Sequence, residues 1–234
     1  MAERPYTLLS CGVSLDGYLG SGTRRRLMLS NDADFDRVDS VRAGCDAILV
    51  GAATIRSDDP RLLVRAPSRV QERVARGLSR TPTKVTVTQE ARLDVRAKFF
   101  STGDGDKIVY CGRSGLESAR RRLGTVATVV DGGQRVDVRR MSEDLAARGV
   151  GRLMVEGGGT VHTQFLTADL VDELHLVVAP FFVGDPRARR FVGDGSFPWH
   201  PGRRARLAEV RPIGDVVLLR YALSARFCPS PEET

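Results

Sequence analysis

Short apolar runs rich in β-branched residues alternate along this chain with stretches in which apolar positions recur at helical spacing. This alternation is typical of α/β proteins whose sheet is mostly parallel. The runs predict nine strands, at positions 6–13, 47–51, 84–88, 107–111, 126–130, 152–156, 173–179, 206–213 and 216–223. Helices are predicted at positions 32–43, 114–123, 138–148 and 160–168. The expected fold class is an α/β protein with a mixed, mostly parallel sheet of about nine strands flanked by helices.

Turn and cap residues refine this pattern. Ser30 and Asn31 precede the first helix and Gly149 follows the third, which are positions that favour helix caps. Gly214 and Asp215 separate the last two strands and predict a two-residue hairpin, so the sheet should end in an antiparallel pair. We expect one domain over residues 1–224, a flexible tail over 225–234, and a mobile linker over 66–82.

Charge narrows the range of partners. The chain carries 36 basic and 29 acidic residues, and its formal net charge of +7 favours an anionic partner such as a phosphorylated metabolite or a dinucleotide. The arginines are scattered, and no nucleic-acid-binding motif or aromatic platform accompanies them. We therefore expect no nucleic-acid partner.

Several kinds of site are not expected. The four cysteines are widely spaced and have no histidine at metal-ligand spacing, so neither a disulfide framework nor a metal site is predicted. The zinc-deaminase signature is missing as well. No apolar run approaches the roughly 20 residues of a membrane span. The amino terminus lacks a signal pattern, so we expect no membrane contact and a cytoplasmic protein.

A strand that runs into three glycines is the strongest local signal for chemistry. It reads Arg-Leu-Met-Val-Glu-Gly-Gly-Gly-Thr over positions 152–160 and leads into a predicted helix. Glycines let a phosphate approach the backbone, and the helix N-terminus adds N–H groups and a positive dipole. The segment indicates a dinucleotide cradle, and a simple tight turn is the alternative. Glu156 lies at the strand end, where ligands of open α/β sheets bind; the alternative there is a solvated carboxylate.

Two further segments carry candidate binding residues. Asp-Asp-Pro-Arg-Leu-Leu-Val-Arg at 58–65 follows the second strand and a predicted short turn of helix. Arg42 and Arg65 could form bidentate contacts with a phosphate monoester, or they could simply be surface charges. Ser-Leu-Asp-Gly at 14–17 follows the first strand, and its Asp16 is either a functional acid or only part of an Asx turn.

Five motifs, taken in order, resemble one family. They are Ser-Leu-Asp-Gly at 14–17, Asp-Ala-Ile-Leu-Val-Gly-Ala-x-Thr at 46–54, Asp-Asp-Pro-Arg-Leu-x-Val-Arg at 58–65, Val-Glu-Gly-Gly-Gly-Thr at 155–160 and Leu-Val-Asp-Glu-Leu at 170–174, with Ala179-Pro180 beyond. Over nearly the whole chain, this order resembles the reductase domain of bacterial riboflavin biosynthesis and its stand-alone archaeal and fungal relatives. The resemblance implies a dihydrofolate-reductase-like fold, NADPH as hydride donor, and a homodimer.

The resemblance also implies a reaction and a set of site residues. The reaction is reduction of the ribosyl group of a 5-amino- or 2,5-diamino-6-ribosylamino-pyrimidinone 5′-phosphate to the ribityl form. The cofactor contacts, carried over by position, are Gly12, Thr54, Asp58, Gly157, Gly158, Gly159, Thr160, Val161 and His162, in a segment that continues to Gln164. The substrate contacts are Arg42, Leu62, Arg65 and Glu156, with the two arginines on the phosphate. The candidate catalytic residues are Glu156, which would orient the sugar or base, and Asp16, which would steer protons.

Departures from the family pattern affect the substrate pocket. Ser10 stands where the bifunctional bacterial enzymes tend to have a lysine, and Arg26-Leu27-Met28 replaces their Ser-x-Trp loop. One alternative is therefore a reductase recruited to another pterin, dihydrofolate or antibiotic-pathway substrate. An alternative of another class is a nucleotide-binding module without catalysis. Thr88-Gln89 and Arg113-Ser114, at two strand ends, are candidates for contacting the 2′-phosphate that distinguishes NADPH from NADH.

Overall fold

A computed structural model of the chain describes residues 3–23 and 27–228. By its contacts the chain divides into two compact units, Met1–Pro5 with Asp36–Gly158 and Tyr6–Phe35 with Gly159–Thr234. The single domain expected over residues 1–224 stays a prediction. The expected flexible tail lies, from residue 229 onward, outside the described residues.

Nine strands and seven α-helices occupy the described ranges. The strands are β1 (Tyr6–Ser14), β2 (Ala47–Gly51), β3 (Thr83–Thr88), β4 (Lys107–Cys111), β5 (Thr128–Asp131), β6 (Arg152–Gly157), β7 (Glu173–Ala179), β8 (Arg206–Ile213) and β9 (Val216–Ala222). The helices are α1 (Asp32–Ala43), α2 (Ala52–Asp58), α3 (Pro67–Ala75), α4 (Lys98–Ser101), α5 (Leu116–Leu123), α6 (Val138–Ala147) and α7 (Gly159–Thr167). All predicted strands and helices are found, with bounds that differ from the predicted positions by at most two residues.

Five parallel strands form the sheet of the first unit, in the order β5-β4-β3-β2-β6. Every residue of β2 is buried, as expected for a parallel strand that is covered on both faces. The carboxyl ends of β2 and β6 lie side by side, because Val50 pairs with Gly157 after a register shift. Ligands of open α/β sheets bind at this edge.

The strands of the second unit follow the order β1-β7-β9-β8, with β1 and β7 parallel and the other pairs antiparallel. Gly214, with a φ of 62°, and Asp215 form the predicted two-residue turn between β8 and β9. An apolar cluster lies on this sheet and consists of Val177, Ala179, Val216 and Leu218. The prediction of a mixed, mostly parallel sheet with an antiparallel C-terminal hairpin is confirmed.

The predicted helix caps are confirmed for α1 and α6. Asn31 precedes α1, and its Oδ1 accepts the backbone N–H of Asp34 at 3.0 Å. Its Nδ2 also donates to the carbonyl of Ile213 at 2.7 Å, which ties the start of α1 to the β8–β9 turn. Gly149 follows α6 with a φ of 88°, the left-handed conformation typical of a helix C-terminus.

The mobile linker expected over residues 66–82 is wrong in its first half, where α3 forms. Arg73 of α3 is buried, and its Nη1 donates to the carbonyls of Ala43 at 2.9 Å and Cys45 at 2.7 Å. Its Nε donates to the carbonyl of Ser79 at 2.9 Å. The helix is therefore fixed by a buried guanidinium, and an apolar periodicity cannot reveal such an anchor.

Strand β8 is the last strand in the order of the second unit and is largely exposed. Leu207 and Val210 are exposed apolar residues on it, and Arg206, Arg211 and Pro212 lie along the same strand. Within residues 3–23 and 27–228, none of the helices combines the length and the apolar character needed to cross a bilayer.

Candidate active site

An ion pair between Arg42 and Glu156 is the central feature of the first unit. Arg42 lies in the last turn of α1, and Glu156 lies near the carboxyl end of β6. Nε donates to Oε1 and Nη2 donates to Oε2, both at 2.6 Å, so the contact is bidentate. The side chains of Arg42 and Glu156 are only 17% and 13% exposed. Nη1 of Arg42 also donates to the carbonyl of Leu63 at 3.2 Å.

The ion pair fixes the charge state of Arg42. Burial disfavours its charged form, but the attraction and hydrogen bonds of Glu156 outweigh that effect and raise the pKa of the guanidinium. Because Nε and Nη2 both face Glu156, the Nε–Nη2 edge of Arg42 is used within the protein. The predicted contact of Arg42 with a phosphate stays a prediction, and the geometry also gives the residue a part in orienting Glu156.

The loop between α2 and α3 carries the other predicted substrate residues. Leu62 has a φ of 50°, a conformation that is uncommon for a residue with a side chain, and its side chain is buried. A substrate contact of Leu62 would therefore involve its backbone. Arg65 has a side chain that is 60% exposed, and its Nε lies 3.6 Å from Oδ1 of Asp39. Arg65 is thus the more accessible of the two predicted phosphate-binding arginines.

Asp39 of α1 contacts the loop that carries Arg65, and its sequence position does not by itself predict this role. Its side chain is 2% exposed, and Oδ1 accepts the backbone N–H of Arg65 at 2.6 Å. Oδ2 accepts the N–H of Ala66 and Nη1 of Arg69, each at 3.1 Å. Burial alone would raise the pKa of Asp39, but these N–H groups and Arg69 outweigh burial and lower the pKa. The carboxylate is therefore ionised and holds the start of α3.

The glycine segment joins β6 to α7 as predicted. β6 ends at Gly157 and α7 begins at Gly159. Gly158 has a φ of 90°, and a β-carbon added there would lie 3.1 Å from Oγ1 of Thr54. The geometry thus requires glycine at this position, and the backbone stays accessible to a ligand. Asp58, the exposed last residue of α2, has a cofactor role that stays a prediction.

Within the second unit, the start of α7 packs closely against a loop. A β-carbon at Gly159 would collide with the carbonyl oxygen of Arg190. His162 is fully buried, and its Nδ1 lies 3.3 Å from the carbonyl oxygen of Phe191. Nε2 has no hydrogen-bond partner among the described residues. Burial lowers the pKa of His162 to about 4, so the imidazole is neutral at physiological pH. Because the side chain is fully buried, a contact of His162 with a phosphate would use its backbone N–H.

Asp16 has a structural explanation that competes with the predicted catalytic role. Its carboxylate accepts hydrogen bonds from Ser14 Oγ and from the backbone N–H groups of Val183 and Gly184. Burial raises its pKa, but these hydrogen bonds outweigh burial and lower the pKa to about 2. A carboxylate held ionised by amides is a poor proton donor at neutral pH, and the role expected for Asp16 in steering protons stays a prediction. Asp16 also fixes the loop after β7.

Gly12 and the candidates for the 2′-phosphate also have local partners. A β-carbon at Gly12 would lie 2.9 Å from the carbonyl oxygen of Leu29, which accounts for glycine there without a ligand. Gln89 Nε2 donates to the carbonyl of Gln134 at 2.6 Å. Arg113 Nε lies 3.3 Å from Asp131 Oδ2. Roles of these residues in cofactor binding stay predictions.

The structure describes some of the residues that depart from the family pattern. Ser10 is buried in β1, and Met28 is exposed. Arg26 lies outside the described residues.

Comparison with known proteins identifies relatives of the chain. The family model of the RibD C-terminal domain matches residues 5–219. The chain is 33% identical over 225 residues to the 2,5-diamino-6-ribosylamino-4(3H)-pyrimidinone 5′-phosphate reductase of Archaeoglobus fulgidus, which covers 96% of this chain and 99% of the relative.

Solved structures show the same fold. Acinetobacter baumannii RibD matches with a TM-score of 0.75 and 22% identity over 94% of this chain, which spans 58% of the length of that protein. A dihydrofolate reductase from Enterococcus faecalis complexed with NADP(H) matches with a TM-score of 0.52 and 12% identity, covering 95% of this chain and 98% of the other. The expected dihydrofolate-reductase-like fold is confirmed.

Proposed function

The chain belongs to the family of the RibD C-terminal domain, and from that premise we propose that it is a reductase of riboflavin biosynthesis. The proposed reaction is NADPH-dependent reduction of the ribosyl group of a 2,5-diamino-6-ribosylamino-pyrimidinone 5′-phosphate to the ribityl form. The observation that carries the proposal is the bidentate Arg42–Glu156 pair at the carboxyl end of β6. A relative that is named for this reaction aligns along 96% of the chain and supports the choice of substrate.

Glu156 is the residue that we assign to the sugar or the base of the substrate. Each of its carboxylate oxygens accepts one hydrogen bond from Arg42 and keeps a further lone pair for a hydroxyl or amino group. Arg42 fixes the orientation of the carboxylate, so that the substrate meets an anion that is already in place. Such preorganisation lowers the entropic cost of orienting the reacting groups.

Arg65 is the residue that we assign to the 5′-phosphate. Its side chain is 60% exposed, whereas the Nε–Nη2 edge of Arg42 is engaged by Glu156. A guanidinium matches the geometry of a phosphate better than an ammonium does. Leu62 would contribute backbone contacts from the same loop.

The residues of the glycine segment fit a dinucleotide. Gly158 lacks a β-carbon, which would lie 3.1 Å from Thr54 Oγ1, so no side chain of its own covers the backbone there. The N–H groups of the first turn of α7 have no intrahelical acceptors and attract an anion. We therefore assign Thr54 and the segment Gly157 to His162 to binding of NADPH, which when bound would supply the hydride.

The test uses the purified full chain and follows NADPH oxidation. We expect turnover with the ribosylamino-pyrimidinone phosphate and little turnover with dihydrofolate. Turnover of dihydrofolate alone would support a recruited reductase, and tight NADPH binding without turnover of either would support a non-catalytic module. Either outcome would contradict the proposed reaction.

We also propose, from the family resemblance, that the protein acts in the cytoplasm as a homodimer that prefers NADPH to NADH. Sedimentation of the purified chain tests the dimer, and a single monomeric species would contradict it. The ratio of kcat/KM for the two nucleotides tests the preference. Equal values of kcat/KM for NADPH and NADH would contradict the preference for NADPH.

A further inference from the structure

Helix α1 presents a row of charged residues to the loop before α3. Asp36, Asp39 and Arg42 are spaced three apart and so lie along one side of the helix. Arg42 reaches the carbonyl of Leu63, and Asp39 reaches the N–H group of Arg65. One helix therefore holds this loop at two points that are two residues apart.

The carboxylate of Asp39 is buried and is compensated by several hydrogen bonds. A buried carboxylate is costly unless hydrogen bonds and charges compensate. Here two successive N–H groups, those of Arg65 and Ala66, and the guanidinium of Arg69 supply that compensation. The Nε of Arg65 lies 3.6 Å from the same carboxylate, so Asp39 holds the backbone of Arg65 by a hydrogen bond and attracts its side chain by charge.

The loop that Asp39 holds is conformationally strained. Asp59 and Leu62 adopt φ values of 42° and 50°, which residues with side chains adopt at a cost. Such conformations persist where the surroundings fix them, and they are common at binding sites. The contacts from α1 provide that fixation immediately after Leu62.

We propose that Asp39 is a positioning residue, which fixes Arg65 so that its exposed guanidinium meets the phosphate of the substrate. The proposal rests on the proposed function, because it takes Arg65 as the phosphate ligand. Asp39 itself does not touch the substrate. Its effect is to remove conformational freedom from Arg65 before the phosphate arrives, which strengthens binding without adding a contact.

The test compares Asp39→Asn with Asp36→Asn. Asp36 binds the same Arg69 through two hydrogen bonds, at 2.6 and 2.7 Å, and acts on Arg65 by charge attraction but by no hydrogen bond that the structure describes. It is therefore a control for the loss of negative charge beside Arg65 and Arg69. We expect Asp39→Asn to raise KM for the phosphorylated substrate about tenfold, to change kcat less than about twofold, and to leave KM for a dephosphorylated analogue unchanged. Asp36→Asn should change none of these. An unchanged KM for the phosphorylated substrate in Asp39→Asn, or an equal rise for both substrates, would overturn the proposal.

A binding measurement separates this proposal from the proposed reaction. Calorimetry with ribose 5-phosphate as the probe requires no turnover, and we expect Asp39→Asn but not Asp36→Asn to weaken binding about tenfold. An Asp39-dependent affinity in a protein that fails to reduce the pyrimidine would leave the positioning role standing and remove the reaction. Equal affinities in wild type and both variants would remove the positioning role.

Asp39→Glu covers the case in which Asp39→Asn does not fold. This variant keeps the charge beside Arg69 but displaces the carboxylate by one methylene, so it shifts the contact with the N–H of Arg65. We expect a KM for the phosphorylated substrate between those of wild type and a variant lacking Arg65. A wild-type KM in Asp39→Glu would contradict positioning by Asp39.

Discussion

Arg42 and Glu156 are 114 residues apart in sequence, yet two hydrogen bonds of 2.6 Å join them at the carboxyl end of β6. The pair is mostly buried, so neither charge is well solvated when its partner is removed. The two residues therefore act as a unit.

Replacement of Glu156 tests the role of the pair in turnover. Glu156→Gln retains the shape but removes the anion, and we expect kcat to fall at least about tenfold. The uncompensated Arg42 should also lower the free energy of unfolding by about 1–3 kcal/mol, a value reduced for the partial exposure of the pair. Steady-state kinetics and urea unfolding measure the two effects. Asp94→Asn, which breaks only the exposed Asp94–Arg96 pair, is the control and should leave both quantities unchanged.

Replacement of Arg42 separates orientation of Glu156 from binding of phosphate. The sequence alone predicts that loss of Arg42 raises KM chiefly for a phosphorylated substrate. The structure adds a second role for Arg42, which is to orient Glu156 through a bidentate contact. Lys cannot reproduce that contact. We expect Arg42→Lys to lower kcat roughly tenfold for phosphorylated and dephosphorylated substrates alike. A rise in KM confined to the phosphorylated substrate would restore direct phosphate binding by Arg42.

The glycine segment can be tested with two alanine variants. Gly158 and Gly149 have nearly equal φ values, 90° and 88°, so alanine introduces the same backbone strain of about 1 kcal/mol at each. Only at Gly158 does the added β-carbon approach another residue, Thr54. We expect Gly158→Ala to weaken NADPH binding about tenfold by calorimetry and Gly149→Ala to leave it unchanged. Equal affinities in the two variants would remove Gly158 from the cofactor site.

Acid should lower the free energy of unfolding of the second unit, because Glu173 becomes protonated. Burial raises the pKa of this carboxyl, but hydrogen bonds from His175, Arg220 and Tyr6 outweigh burial and lower the pKa from 4.5 to about 2. Because the folded pKa is the lower one, the stabilisation is complete above pH 4.5 and is lost as the pH falls towards 2. Urea unfolding across that interval should show a smaller slope with pH in Glu173→Gln. An identical slope in wild type and variant would contradict this assignment.

The sequence predicts the strands, four of the helices and the β8–β9 hairpin, because apolar periodicity and turn residues encode them locally. It also singles out Glu156 and Arg42, although not that they bind each other. Helix α3 was missed although its sequence is amphipathic, and its anchor, the buried Arg73, counts as polar in a hydrophobicity pattern. Asp39 was missed because its partners lie 26 to 30 residues away. The only local signals were the three-residue spacing of Asp36, Asp39 and Arg42 and the four-residue spacing of Arg65, Arg69 and Arg73.

Among the strands that the structure describes, β8 is at the end of the order and leaves one row of its backbone groups without a neighbouring strand. Exposed strands of this kind are templates on which other chains assemble into fibrils, particularly where apolar residues such as Leu207 and Val210 accompany them. Charged side chains along the strand, namely Arg206 and the Arg211–Glu209 ion pair, disfavour the addition of another strand, and Pro212 cannot donate a backbone hydrogen bond. The strand thus carries its own protection against open-ended polymerisation at high protein concentration.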